Sequence, residues 1–186
     1  MAESRAASRY VKSLLSLAVE QGALDNVHED MLLFDKVCRE NQSFRLMLKN
    51  PVIKHEKKRD ILEKIFAGKV HPLTIAIFDI ITRKNREAIL PNIARDFHNA
   101  YNEFKNISKA TLTTAFPIDN SLKSQFETIV KKLTKNESVE LVEKLDKDMI
   151  GGFILDVGDK QIDASLKNKL KMLKVKFSHN PYVKEF

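Results

Sequence analysis

From residue 4 to residue 104 the apolar side chains recur at a spacing of three to four positions, and beyond residue 104 such stretches mix with stretches that alternate. That change constrains the fold more than any other feature. A 3.6-residue period buries its apolar face only as a helix, and a two-residue period only as a strand. The cleanest helical stretch is 86–104, where Ile89, Ile93, Phe97, Ala100, Tyr101 and Phe104 share one face. Asn92, Arg95, Asn99, Asn102 and Glu103 fall opposite. Gly22, Asn50-Pro51, Gly68 and Pro72 punctuate the run, and Asp25 and Ser43 stand where N-caps belong. The pattern predicts helices over 4–21, 25–41, 43–49, 54–67, 72–83 and 86–104, joined by connections short enough for a compact bundle.

After Phe104 strands and helices mix. Residues 111–116 are β-branched, alternating and stopped by Pro117. Residues 120–135 return to helical spacing, with Leu122, Phe126, Ile129, Val130 and Leu133 on one side. Residues 139–145 alternate, and 153–157 and 160–163 flank Gly158-Asp159, a hairpin signal. A last helix over 165–177 is expected to bury Leu166, Leu170 and Leu173, and the tail 179–186 to be loose. The fold expected is mainly α: a six-helix bundle in 1–105, then a small α+β domain in 106–186. The low glycine and proline content (five of each) argues against an all-β alternative.

A net charge of +7 and a pI near 9.4 permit an anionic partner without demanding one, since the surplus is spread over both halves. A single cysteine, Cys38, excludes a disulfide framework and a cysteine zinc site. Its helical spacing with Phe34 makes it a core residue rather than a nucleophile. No run approaches the 18 or so apolar residues of a bilayer span. Arg5, Ser8, Arg9 and Lys12 faintly resemble a transit peptide. Glu3 and an apolar face continuous with the first helix argue for a mature start near Met1.

Signs of catalytic chemistry fail in detail. His28-Glu29 and His55-Glu56 open like a zinc-protease helix motif, but Leu32 and Arg59 stand where its second histidine belongs. The run from Asp146 to Gly151 opens like a calcium loop, yet Ile150 and Val157 occupy positions that need oxygen ligands. Gly151-Gly152 and Gly158 do not make a phosphate-cradling loop. The basic run from Lys54 to Arg59 reads as a solvated first helical turn, diluted by Glu56. Lys167, Lys171 and Lys174 read as the solvent stripe of the last helix. The residues favour a non-enzyme with no metal and no cofactor.

Two helices carry more apolar surface than a one-sided helix needs. On 4–21 the apolar arc spans roughly 220°, against little more than 100° for a surface helix. On 72–83 Leu73, Ile75, Ala76, Ile77, Phe78, Ile80 and Ile81 are apolar, against polar Asp79, Thr82 and Arg83. Either both lie at the centre of the bundle, or together they form a groove that awaits a partner helix.

Several stretches resemble a known family. Arg9-Tyr10-Val11-Lys12-Ser13-Leu14 followed by Leu17-Ala18 is similar to the opening motif of the bacterial ATP synthase delta subunits, relatives of the mitochondrial oligomycin-sensitivity-conferral protein. Asn50-Pro51, then Asn85-Arg86 with Leu90-Pro91, resemble that family's helix junctions. The most specific likeness is C-terminal: Asp146, Ile150-Gly151-Gly152-Phe153, Val157-Gly158-Asp159, then Ile162-Asp163-Ala164-Ser165-Leu166, ending at Leu170. Ala164 departs from the usual glycine and is compatible with a helix start. The likeness runs over nearly the whole chain.

The resemblance implies a non-catalytic stator subunit of the rotary proton-translocating ATP synthase. Residues 1–105 would bind the catalytic head, and 106–186 the C-terminal ends of the b-subunits of the peripheral stalk. A groove between the first and fifth helices would receive the N-terminal helix of a head alpha subunit, lined here by Arg9, Tyr10, Ser13, Leu14, Leu17, Ile77, Ile80 and Ile81. Tyr10, Ile77 and Ile81 would be its anchors, and Ser13 would allow close approach. The C-terminal motif would rest on Asp146, Gly151, Gly152, Gly158, Asp163 and Ser165. Such a subunit is peripheral, on the cytoplasmic face of a bacterial inner membrane; it would bind no nucleic acid and meet the membrane only through its complex. The alternative is a helical RNA-binding protein of the antitermination type, prompted by the pI and by Lys54 to Arg59.

Overall fold

A computed structural model describes residues 2–134, 136 and 138–178 of the chain. The expected loose tail and the end of the 120–135 helix at Lys135 lie outside the described residues. The chain divides into two compact units, Met1–Phe104 and Lys105–Phe186.

The first unit holds helices α1 (Ala2–Glu20), α2 (Leu24–Glu40), α3 (Gln42–Lys49), α4 (His55–Phe66), α5 (Pro72–Arg83) and α6 (Leu90–Phe104). The helix expected over 86–104 opens instead with a separate 3₁₀ turn, Glu87–Ile89. Pro91 has no N–H to give, so it belongs in the first turn of α6 and the α-helical ladder starts beside it. Neither expected N-cap holds. Ala23 precedes α2 and Asn41 precedes α3, with no side-chain cap at either. Asp25 instead lies within the first turn of α2, where its Oδ1 accepts the Tyr101 hydroxyl at 2.8 Å.

One continuous core runs through this unit. Phe34 of α2 sits fully buried among Phe44, Phe66 and Phe78, with ring centroids 6.0, 5.5 and 5.0 Å away. These rings tie α2, α3, α4 and α5 together. On the other side α6 packs along α1 and α2, and buries Ile93, Ala94 and Phe97 with Ala7, Val11, Leu14 and Ala18. Cys38 is buried here too, as the sequence indicates.

Lys58 overturns one sequence reading. The basic run that opens α4 is not all solvated: Lys58 is 4% exposed, donates to the Leu48 carbonyl at 3.0 Å and lies 3.6 Å from Glu87 Oε2. Glu87 is equally buried, so the pair links α4 to the turn before α6 in a low-dielectric place.

The second unit holds β1 (Ile107–Thr114), α7 (Asn120–Thr134), β2 (Ser138–Leu145), β3 (Phe153–Val157), β4 (Lys160–Asp163) and α8 (Leu166–Ser178). The sheet order is β2-β1-β3-β4. β1 pairs parallel with β2 (Ile107 opposite Ser138) and antiparallel with β3 (Ala110 opposite Val157), while β3 and β4 form a hairpin. Gly158, with φ +56°, takes the first central position of that turn, a backbone region costly for a side chain. The strand expected over 111–116 starts earlier and ends at Thr114. Flanked on both sides, β1 gains ladder bonds at its beginning, and Phe116 before Pro117 lies outside it. Ala110, Leu112, Val130, Leu155 and Val157 form a small core, with Phe126 set edge-on to Phe153 at 4.9 Å. The mainly α fold with a small α+β end, read from the sequence, is the fold observed.

Candidate functional site

Helices α1 and α5 meet in the first unit, and beside the contact each shows a row of residues at helical spacing. On α1 the row is Tyr10, Ser13 and Leu17; on α5 it is Leu73, Ala76 and Ile80. Leu17 is 44% exposed and Ile80 48%, while Tyr10 and Leu73 are half-buried. Arg9 and Ser13 are exposed. The Ser13 hydroxyl turns back onto the Arg9 carbonyl at 3.0 Å, so it asks nothing of a partner and leaves a shallow place. Arg86 Nη1 donates to the Tyr10 hydroxyl at 3.5 Å, which ties the first half of α1 to the chain just past α5.

Not every predicted lining residue reaches this surface. Leu14, Ile77 and Ile81 are 1%, 7% and 0% exposed and lie within the core. Buried in this way, they offer no exposed anchor to an occupant. The apolar surplus of α1 is also divided. Val19, at 41% exposure, points about 160° away from Leu17.

Two local devices hold α5 in place. At its start the buried Asp30 carboxylate of α2 accepts the His71 N–H and the Thr74 hydroxyl, both at 2.7 Å. At its end Asn85, with φ +53°, closes a Schellman turn: Arg86 N–H bonds the Ile81 carbonyl at 3.1 Å and Asn85 N–H bonds Thr82 at 2.9 Å. The Asn85-Arg86 motif therefore stops α5 and presents Arg86 to Tyr10. Asp30 was not singled out in the sequence, because a lone acidic residue on a helix reads as solvent-facing. Only its contact with the next-but-two helix reveals it.

In the second unit the C-terminal motif builds one end of α8. Asp146 Oδ1 accepts Asp148 N–H at 3.0 Å, which makes a tight turn. The loop after it runs against the start of α8: Leu166 N–H bonds the Gly151 carbonyl and Ala164 N–H bonds the Phe153 carbonyl, both at 3.0 Å. A Cβ at Gly152 would lie 2.5 Å from the Ala164 carbonyl oxygen, so this close approach requires glycine. Asp163 Oδ1 accepts Ser165 N–H at 2.9 Å, and Ser165 Oγ caps α8 by accepting Asn168 N–H at 3.2 Å. The hydrogen bonds to Ser165 hold the Asp163 carboxyl below its usual range.

Beyond that end α8 does not do what the sequence suggests. None of its residues is buried, and Leu166, Leu170 and Leu173 are 43%, 57% and 47% exposed. Leu122, Ile129 and Leu133 of α7 are likewise open, with Val130 alone of that row buried. The unit's own sheet is too small to cover both helices.

The pattern of the family described as ATP synthase delta (OSCP) subunit matches residues 6–177. The chain belongs to that family. It is 39% identical over 178 residues to the ATP synthase subunit delta of Cytophaga hutchinsonii, which covers 96% of this chain and 97% of the relative. The subunit delta of Synechococcus elongatus is 31% identical, over 89% of this chain and 92% of the relative. A chain of the mitochondrial ATP synthase hexamer of Toxoplasma gondii shares the fold at a TM-score of 0.74 and 19% identity, covering 94% of this chain and 98% of that one. Members of this family are non-catalytic stator subunits, so the surfaces above are to be read as binding surfaces and not as an active site. The RNA-binding alternative is not supported by these matches, and within the basic run Lys58 is buried and Arg59 lies 3.8 Å from Asp79.

Proposed function

We propose that this subunit joins the catalytic head of a rotary ATP synthase to its peripheral stalk. The groove between α1 and α5 takes an amphipathic helix from the N-terminus of a head alpha subunit, and the second unit holds the C-terminal ends of the b-subunits. The subunit then resists rotor torque without chemistry, by apolar contact. It lies on the cytoplasmic face of a bacterial inner membrane and reaches the membrane only through the complex. In keeping with this, no described helix is long and apolar enough to cross a membrane.

The observation that carries the head-binding half is the pair of half-exposed side chains, Leu17 and Ile80, on two helices that touch. Covering the open half of each contributes roughly 1 kcal/mol. A small exposed residue, Ser13, stands beside them, and Tyr10 gives an aromatic edge whose hydroxyl already has a partner. Calorimetric titration of the full chain with a synthetic alpha-subunit N-terminal helix tests this. Tyr10→Ala is expected to weaken binding by about 1–3 kcal/mol. Unchanged affinity for Tyr10→Ala and for Leu17→Asp would remove the groove from the head contact.

A further inference from the structure

The exposed residues of α8 have an order that the family match does not explain. Leu166, Leu170, Leu173 and Phe177 follow one another at spacings of four, three and four, the a/d repeat of a coiled-coil seam. These four occupy an arc of roughly 60°, the width of a coiled-coil seam, while Met172 and Val175, also exposed, fall on other sides of the helix. All four are exposed, Phe177 by 85%. The positions that flank such a seam are Lys167 and Lys174 on one side and Lys169 and Lys176 on the other. Every flanking position is thus a lysine, and each is exposed.

We propose that α8 is one strand of a coiled coil whose other strand is an amphipathic helix with an apolar seam and acidic residues at its flanking positions. The proposal rests on the stalk-binding half of the proposed function and names the surface that the partner presents. Three observations select that occupant. First, a helix of 13 residues is marginal alone in water, and like charges at Lys167 and Lys171 weaken it further, so it gains most from a partner that covers the leucines. Second, a second copy of this chain is disfavoured in either orientation, because parallel and antiparallel pairing both set lysine against lysine across the seam. Third, acidic flanks would meet all four lysines at once, which sets partner choice and register.

The hydrogen bonds at Gly151, Asp163 and Ser165 acquire a purpose in this account. They fix the direction in which the seam leaves the sheet, and the leucines beyond remain free of the small core.

The test uses the full chain and two synthetic peptides of about four heptads, with leucine at the seam and either glutamate or lysine at every flanking position. The glutamate peptide is expected to bind at least about tenfold more tightly than its lysine twin. Reversing Lys167, Lys169, Lys174 and Lys176 to glutamate together should invert that preference, and Leu170→Asp should abolish binding of both. None of these side chains is buried, so the fold of the unit does not depend on them. Equal binding of the two peptides, or no binding, overturns the proposal. So does tighter binding of the wild-type chain to phosphatidylserine-containing vesicles than to the glutamate peptide, which would make α8 a membrane-surface helix. A parallel titration uses the soluble part of a b-subunit. If that fragment binds wild type and Leu170→Asp alike, the pairing on α8 fails while stalk binding stands. If the glutamate peptide binds and the fragment does not, the pairing rule stands and stalk binding fails.

Discussion

Gly152 shows how much one missing side chain can fix. With φ +84° and the Ala164 carbonyl 2.5 Å from where a Cβ would sit, alanine there meets both backbone strain and a clash. Gly152→Ala is expected to destabilise the second unit by about 1–3 kcal/mol or more, measured by denaturant unfolding followed through its sheet. At Gly158 a Cβ meets nothing, so alanine there costs only the strain of its positive φ and less in total. Cys38 makes the matching point in the first unit. Burial, and then the charge of Asp35, push its thiol from 9.0 up to about 12. A raised value means the stabilising contribution is complete below the ordinary thiol range and is lost as pH rises through the folded value. Native protein at pH 8 should therefore resist alkylation that proceeds freely in denaturant, and the helical unit should lose stability between pH 9.0 and about 12. Prompt native labelling at pH 8 would contradict the buried placement. The sequence showed Cys38 as core because its spacing matched Phe34. It did not show Lys58, whose charge reads as solvent until Glu87, on another element, comes to meet it.

Among the elements, the Lys58–Glu87 pair ties α4 to the turn before α6, and the Asp30 clamp fixes the start of α5. Removing one member of a buried pair leaves the other charged without compensation, at a cost of about 3–5 kcal/mol. Lys58→Met should show that loss, and the double variant with Glu87→Leu should recover most of it. A double-variant loss equal to the sum of the two single losses would mean that the pair is not coupled. Asp30→Ala strands the His71 N–H and the Thr74 hydroxyl and should cost about 1–3 kcal/mol, with the start of α5 losing amide-exchange protection first. Helix periodicity made α1 to α6 legible because each has a buried stripe to repeat, and Gly158-Asp159 made the hairpin legible because the turn needs glycine. The last helix misled for a physical reason. An amphipathic face looks the same in sequence whether its cover comes from the same chain or from another. The leucines of α8 read as core, and the structure leaves them in water. The surplus on α1 and α5 was visible in the same way, but the pattern could not say which residues are buried, Leu14, Ile77 and Ile81, and which are exposed, Leu17 and Ile80.

At the scale of the whole molecule, apolar surface remains open in both compact units, and in each it lies along helices. On the proposed function a stator link needs two attachments that act independently, and these surfaces would supply them in separate units. Because the head contact rests on apolar area, its affinity should change little with salt, unlike a contact made through phosphates. The most direct measurement is sedimentation of the chain with purified catalytic head and the soluble part of the b-subunit. Wild type is predicted to join all three in one complex. Leu17→Asp with Ile80→Asp should release the head and keep the stalk fragment, and Leu170→Asp should do the reverse. Loss of both partners from either variant, or of neither from both, would contradict the account.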